Sequence, residues 1–173
     1  SQFFQINSST GALSFKTAPS YNNPSDTSND GETAGDNVYV TSIRATDSDN
    51  NTSDQQIRIS VLELDNTSPS ITGPSGSAGD ATSSKSINEN STAVHTFTAN
   101  ETVTWSLNGG ADASKFSINS STGALSFNSA PNYESPTDSN FGNDYVVIVR
   151  ATDSTSNTSD QTVTISISDI DEI

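Results

Sequence analysis

Acidic and amide side chains in this sequence gather in short groups separated by apolar, alternating stretches. Asn88-Glu89-Asn90, Asn100-Glu101, Asn132-Tyr133-Glu134, Asp153 and the run Asp169-Ile170-Asp171-Glu172 carry the clearest of them. Carboxylates brought together at the tips of a rigid body repel one another unless a positive charge offsets them. Ca²⁺ accepts about six to eight oxygen ligands from carboxylates, amides and backbone carbonyls, the groups on offer here. The same pattern also fits a solvated acidic surface that only keeps a protein in solution. A separate loop offers a possible second metal site. Asp26, Ser28 and Asp30 followed by Gly31 match the first half of an Asp-x-Asn-x-Asp-Gly calcium loop. Its twelfth position is Asn37 rather than Glu, so Asp36 or a backbone oxygen would have to substitute.

Other chemistries find few residues to work with. The chain has no Cys and one His, which removes the usual nucleophile-and-base pairs and zinc sites. Asp169 and Asp171 are paired carboxylates of the kind that hydrolyse glycosides, but no groove-forming insertion accompanies them. The sequence therefore predicts no enzyme. His95 shares parity with Phe97 and Ala99 and reads as an inward, structural side chain. Six Lys plus Arg against 21 Asp plus Glu, a net charge of -15, cannot neutralise a phosphate backbone, so nucleic acid is excluded as a partner. No apolar run reaches the ~18 to 20 residues of a membrane span. A chain without Cys or Met and rich in Ser, Thr, Asn and Asp suits an extracellular or cell-surface location.

The elements that must position the acidic groups recur. Phe4 to Phe15 reads FQINSSTGALSF and Phe116 to Phe127 reads FSINSSTGALSF, one mismatch at an offset of 112. Arg44 to Gln55 matches Arg150 to Gln161 with two mismatches at an offset of 106, so the first copy carries six more residues in an intervening loop. The expected domains are residues 1–66, the C-terminal part of one repeat, and 67–173, a complete second repeat.

Within the complete copy the apolar period is two. Val103, Trp105 and Leu107 share a parity, as do Tyr145, Val147 and Val149, and Val163, Ile165 and Ile167. Further strands are expected at Ala93 to Ala99, Phe116 to Ile118 and Ala124 to Phe127, the last two joined by a turn at Asn119 to Gly123. Seven short strands without a helical stretch predict an all-β, antiparallel sandwich, repeated in tandem, with the first copy incomplete. That copy lacks counterparts of Ala93 through Leu107, so the apolar face of Phe4, Ile6, Leu13, Phe15, Ile43 and Ile59 should stand open. A strand-donating segment from outside the sequence is expected to complete it.

Together, Asn-Glu-Asn at 88 to 90, FSINSSTGALSF, Asn-Tyr-Glu before Pro136, Ala-Thr-Asp at 151 to 153 and Asp-Ile-Asp-Glu at 169 to 172 resemble a bacterial cadherin-like tandem repeat of the calcium-dependent surface adhesin type. The resemblance implies seven-stranded Greek-key sandwiches strung head to tail, with Ca²⁺ at the junctions. It implies a lower half-site of Glu89, Glu134, Asp169 and Asp171. An inner junction would draw on Glu63, Asp65 and Asn66 with Asn100, Glu101 and Asp153. The chain departs from the pattern in two places: Asn22 stands where the second copy has Glu134, and Asn-Glu replaces an Asp-x-Asp loop at 100 to 101. Fewer protein ligands and more water are expected at the inner site.

The function so implied is a calcium-stiffened extender or adhesion repeat of a large secreted bacterial surface protein, its partners being neighbouring repeats of the same polypeptide. A carbohydrate-binding sandwich is an alternative and would need exposed aromatics, for which Tyr21, Tyr133 and Phe141 are the loop candidates. A structural subunit of an extracellular or viral fibre is another.

Overall fold

The computed structural model describes residues 2–27 and 33–171. They divide into two compact units, Ser1–Asp65 and Asn66–Ile173, whose regular elements are strands apart from one short 3-10 turn at Ala113–Lys115.

In the second unit strict alternation builds the core. Strand β12 (Asp144–Thr152) buries every second residue, and β13 (Thr158–Ser168) does the same from Gln161 onward. They pair antiparallel over nine residue pairs. β6 (Thr82–Asn88) lies parallel to β13, and β9 (Thr104–Leu107) antiparallel to β12, which closes a four-stranded sheet. A second sheet runs β10 (Phe116–Ile118), β11 (Ala124–Phe127), β7 (Ala93–Thr96). Short β5 (Ile71–Thr72) pairs with β8 (Thr98–Ala99). The apolar faces meet in one cluster where Val147, Val149, Val163 and Ile165 are completely buried and Trp105 is 5% exposed. Each such side chain contributes about 1.5 to 3 kcal/mol by leaving water.

The expected seven strands appear as nine segments because two chain paths break. The first is split into β5 and β6, joined by residues 73–81. The second breaks at Phe97, so β7 pairs in one sheet and β8 with β5. Val94 and Phe97 are buried, and His95, opposite Leu125 and edge-on to Phe97 at 5.0 Å, is half-buried, in keeping with the structural side chain expected there. The parallel β6–β13 pairing is an exception to the otherwise antiparallel scheme.

The first unit contains β1 (Phe4–Ile6), β2 (Leu13–Phe15), β3 (Val38–Thr46) and β4 (Thr52–Ser60). β1 pairs with β2 and β3 with β4, in the registers of β10–β11 and β12–β13. Its aromatic nucleus is Tyr39, 1% exposed, with Phe15 and Phe3 at ring separations of 5.2 and 5.3 Å. Phe4, expected on the open face, is instead 3% exposed because it packs on Phe15 at 4.5 Å. Ile6 is 47% exposed, and Leu13, Phe15, Ile43 and Ile59 are half-buried.

Candidate metal centre

Glu89 immediately follows β6, and it is almost wholly buried at 1% exposure. A buried carboxylate demands hydrogen-bond donors. Its two oxygens accept separate backbone N–H groups, Oε2 from Tyr133 and Oε1 from Ile170, each at 2.9 Å. One side chain thus ties the end of β6 to the loop after β11 and to the segment after β13. The amides of Ile170 and Tyr133 hold its carboxyl below the ordinary range, against the opposite pull of burial. Exposed Glu134 and Asp169 join it: oxygens of Glu89, Glu134 and Asp169 lie within 4.8 Å of one another. Asp171 is exposed and lies outside this group. Three carboxyl groups so close form a hard oxygen donor set that favours Ca²⁺ over softer metals.

At the β12–β13 turn, Asp153 is 8% exposed. Its Oδ1 accepts the amides of Thr155 and Asn157, both at 2.8 Å, and its Oδ2 accepts Asn157 Nδ2 at 2.8 Å. Burial pushes this carboxyl up, but the hydrogen bonds from Asn157 and Thr155 outweigh it and leave it below the ordinary value. Oxygens of Glu101 and Asp153 approach within 4.8 Å. Asn100 Oδ1 instead accepts the backbone amide of Ser70 at 2.6 Å, pinning the edge of β5. Glu63, Asp65 and Asn66 follow β4 as exposed residues. The first unit repeats the turn: Asp47 Oδ1 accepts the amides of Asp49 and Asn51 at 2.9 and 2.8 Å.

Asp26 is 6% exposed, and its Oδ2 accepts the amides of Gly35 and Asp36 at 2.7 and 3.2 Å, while Asp36 Oδ1 accepts that of Val38. Both carboxylates shape the loop. Ser28 and Asp30 lie outside the described residues. The second copy shows the same device without the insertion: Asp138, 2% exposed, accepts the amides of Gly142 and Asn143. Burial pushes the Asp138 carboxyl up, and the amides of Gly142 and Asn143 override it to leave it low.

Two buried polar residues of the second unit, Asp112 and Gln161, escape a motif search. Asp112 receives the amides of Ser139 and Val146 at 2.6 and 2.8 Å, joining two loops to β12. Asp138 is legible only as part of a Pro-Thr-Asp triplet matching Pro-Ser-Asp at 24 to 26. Gln161 is fully buried, with Oε1 accepting Ser83 Oγ at 2.9 Å and Nε2 donating to the Asp80 carbonyl at 2.8 Å. Its position in an otherwise apolar alternation is the one available signal.

Among aromatics, Phe141 is 74% exposed and Tyr21 and Tyr133 are 38% and 39% exposed. No helix among the described residues is long and apolar enough to cross a membrane.

No family model matches the chain, and no curated protein does. Solved structures do. Human CDH23 EC21-23 is similar over 96% of this chain at 19% identity, with a TM-score of 0.50. Protocadherin Gamma B7 extracellular cadherin domains 1-4 are similar over 96% of the chain at 18% identity, TM-score 0.49, and the Protocadherin GammaB4 extracellular domain over 95% at 18%, TM-score 0.49. The chain spans 51% of the first of these structures and 38% and 24% of the other two. In fold the chain is a cadherin-like β-sandwich repeat.

Proposed function

We propose that the chain is an extender repeat of an extracellular adhesive protein of the secreted bacterial surface type, stiffened by Ca²⁺. The carrying observation is Glu89: a buried, ionised carboxylate, fixed by two amides, that meets Glu134 and Asp169 within 4.8 Å. Glu89, Glu134 and Asp169 would hold the ion, and Asp153 with Glu101 offers a second group of oxygens. The ion supplies the positive charge that offsets carboxylate repulsion. Glu89 already joins three segments of the unit, so neutralising its neighbours tightens the whole C-terminal tip. Neighbouring repeats of the same polypeptide are the partners this mechanism serves.

The test is thermal unfolding of the whole chain in millimolar Ca²⁺, in Mg²⁺ and in chelator. Extracellular calcium modules bind with dissociation constants of about 10⁻⁴ to 10⁻³ M. Calcium at about 10 mM, roughly 10 to 100 times such values, adds about 1.4 to 2.7 kcal/mol, and Mg²⁺, which demands tight octahedral geometry, adds little. Glu134→Gln removes most of the calcium gain. Identical melting in calcium and chelator refutes the proposal.

A further inference from the structure

Both units carry a cavity at the same place. In the second unit a cavity of about 570 Å³ is lined by Phe127 and Tyr145, and in the first unit one of about 430 Å³ is lined by their counterparts Phe15 and Tyr39. Both volumes suit a small molecule, whose sites span about 300 to 1,000 Å³. The two cavities also share a chemistry that the rest of the chain lacks. The sequence has 21 Asp plus Glu and six Lys plus Arg, yet among the described residues no Asp or Glu lines either cavity and one lysine lines each. These lysines, Lys115 and Lys16, are not sequence counterparts. The Lys16 amide donates to the Phe3 carbonyl at 2.9 Å and the Asn128 amide to the Lys115 carbonyl at 2.8 Å, so the lysines are opposite members of one cross-strand pair. The cation has changed strand and kept its cavity. The buried tyrosines supply a second donor. Tyr145 and Tyr39 are each 1% exposed, and each phenol oxygen accepts a backbone amide, from Thr137 at 3.1 Å and from Ser25 at 3.2 Å. For its own proton each phenol has one acceptor among the described residues, Thr137 Oγ1 at 3.4 Å or Ser25 Oγ at 3.5 Å. Both are longer than the ~2.5 to 3.0 Å of an ordinary O–H···O bond, which leaves a buried donor poorly satisfied in both units.

We propose that each unit binds one hexuronic acid residue, an anionic sugar, in this cavity. The lysine pairs with the sugar carboxylate, and the phenol proton bonds a sugar oxygen. Ser129 and Thr137 in the second unit, and Thr17 and Ser25 in the first, line the cavities with hydroxyls that match those of the ring. Ala130-Pro131 and Ala18-Pro19 give each cavity an apolar wall for the C–H face. A mineral anion would use the lysine and leave the hydroxyls and the apolar wall idle. A neutral sugar would make no use of the lysine. Glu89, Glu134 and Asp169 do not line the second cavity, so sugar binding there is independent of calcium.

The test titrates the whole isotope-labelled chain with D-glucuronate, D-glucose and acetate and follows its amide resonances. Chelator is present throughout, so that a carboxylate bridging to calcium is not read as binding here. D-Glucuronate should shift the amides of Ser129 and Thr137 and those of Thr17 and Ser25, saturating with a Kd on the order of 1 mM. D-Glucose and acetate should bind at least about fivefold more weakly, the first lacking the carboxylate and the second the ring. Lys115→Gln should weaken D-glucuronate binding about fivefold or more in the second unit and leave the first unchanged, and Lys16→Gln should do the reverse. Each variant thus carries a folded control in its other unit. Absence of saturable shifts overturns the proposal, as do shifts confined to one unit. Acetate binding as tightly as D-glucuronate shows a bare anion site and overturns it. So does D-glucose binding equally well, or a Lys→Gln change that leaves its own unit's affinity intact.

Discussion

Two leucines in identical local sequence isolate what cover contributes. Residues 6–15 and 118–127 both read INSSTGALSF. Both hairpins use the same turn, with Asn7 Oδ1 accepting the amides of Ser9 and Thr10 and Asn119 Oδ1 those of Ser121 and Thr122. Leu125 is 2% exposed and belongs to the main core; Leu13 is half-buried. Leu125→Ala removes buried methyl groups and leaves a cavity walled by rigid strands, which costs about 3 to 4 kcal/mol. Leu13→Ala leaves no closed cavity and forfeits part of the transfer energy alone, about 1 kcal/mol. For a domain of roughly 100 residues the larger figure lowers Tm by about 15 °C or more. Trp105 is the one tryptophan and lies in the second unit, so its fluorescence during urea unfolding reports that unit by itself. Hydrogen exchange at β3 and β4 reports the other. Equal losses from the two substitutions, each read in its own unit, would refute the reasoning, since they would mean that Leu13 is as covered as Leu125.

Gly123→Ala should destabilise the second unit by more than 2 kcal/mol, because it adds a clash with the Phe97 carbonyl to the ~1 kcal/mol strain of a left-handed alanine; Gly11→Ala carries the strain alone. Urea midpoints and exchange rates of the two variants check this, and equal effects would show that Gly11 is crowded too. Acid should weaken the second unit. Glu89, Asp138, Asp153 and Asp160 are all held below their ordinary values, so the unfolded chain binds protons first and their stabilisation, complete above about pH 5, is lost as pH falls through about 4 and below. His95, lowered by burial and by Lys85, adds a loss of the same sign that begins near pH 6.5. A urea midpoint that stays constant from pH 7 to pH 3 contradicts both.

Most strands were legible because a sandwich facing water on one side writes its burial as alternation. Phe116–Ile118 and Ala124–Phe127 appear with the bounds expected from sequence. β6 was not legible: Thr82, Ser84 and Ser86 alternate with Ser83, Lys85 and Ile87, so polarity barely distinguishes its faces. Its inward Ser83 is explained only by Gln161, which lies 78 residues away. The break at Phe97 was hidden for a related reason, since nothing in Thr96-Phe97-Thr98 shows that the chain changes sheets there. At the candidate site, Glu89, Glu134 and Asp169 were named from their motifs, and the structure gathers all three. A carboxylate that caps backbone amides and one that awaits a cation look alike in sequence, so the bonds from Gly35 and Asp36 to Asp26 Oδ2 were not legible in the calcium-loop pattern. Asp112 escaped notice because a single Asp in a loop has no pattern to break.

The parallel pairing of β6 with β13 also governs how the second unit would respond to tension. The chain enters through β5 and β6 and leaves through β13. In parallel neighbours a pull on the entering end of one and the departing end of the other runs along both strands in opposite senses. The short β5–β8 contact, two residue pairs long, yields early. The load then falls on Thr82–Asn88 against Thr162–Ser168, seven pairs strained together in shear rather than peeled open one after another. Buried Gln161, bonded to Ser83 and to the Asp80 carbonyl, bolts one end of that seam, and Glu89, bonded to the amide of Ile170, bolts the other. A domain loaded in this way resists sudden force far better than its modest core would suggest.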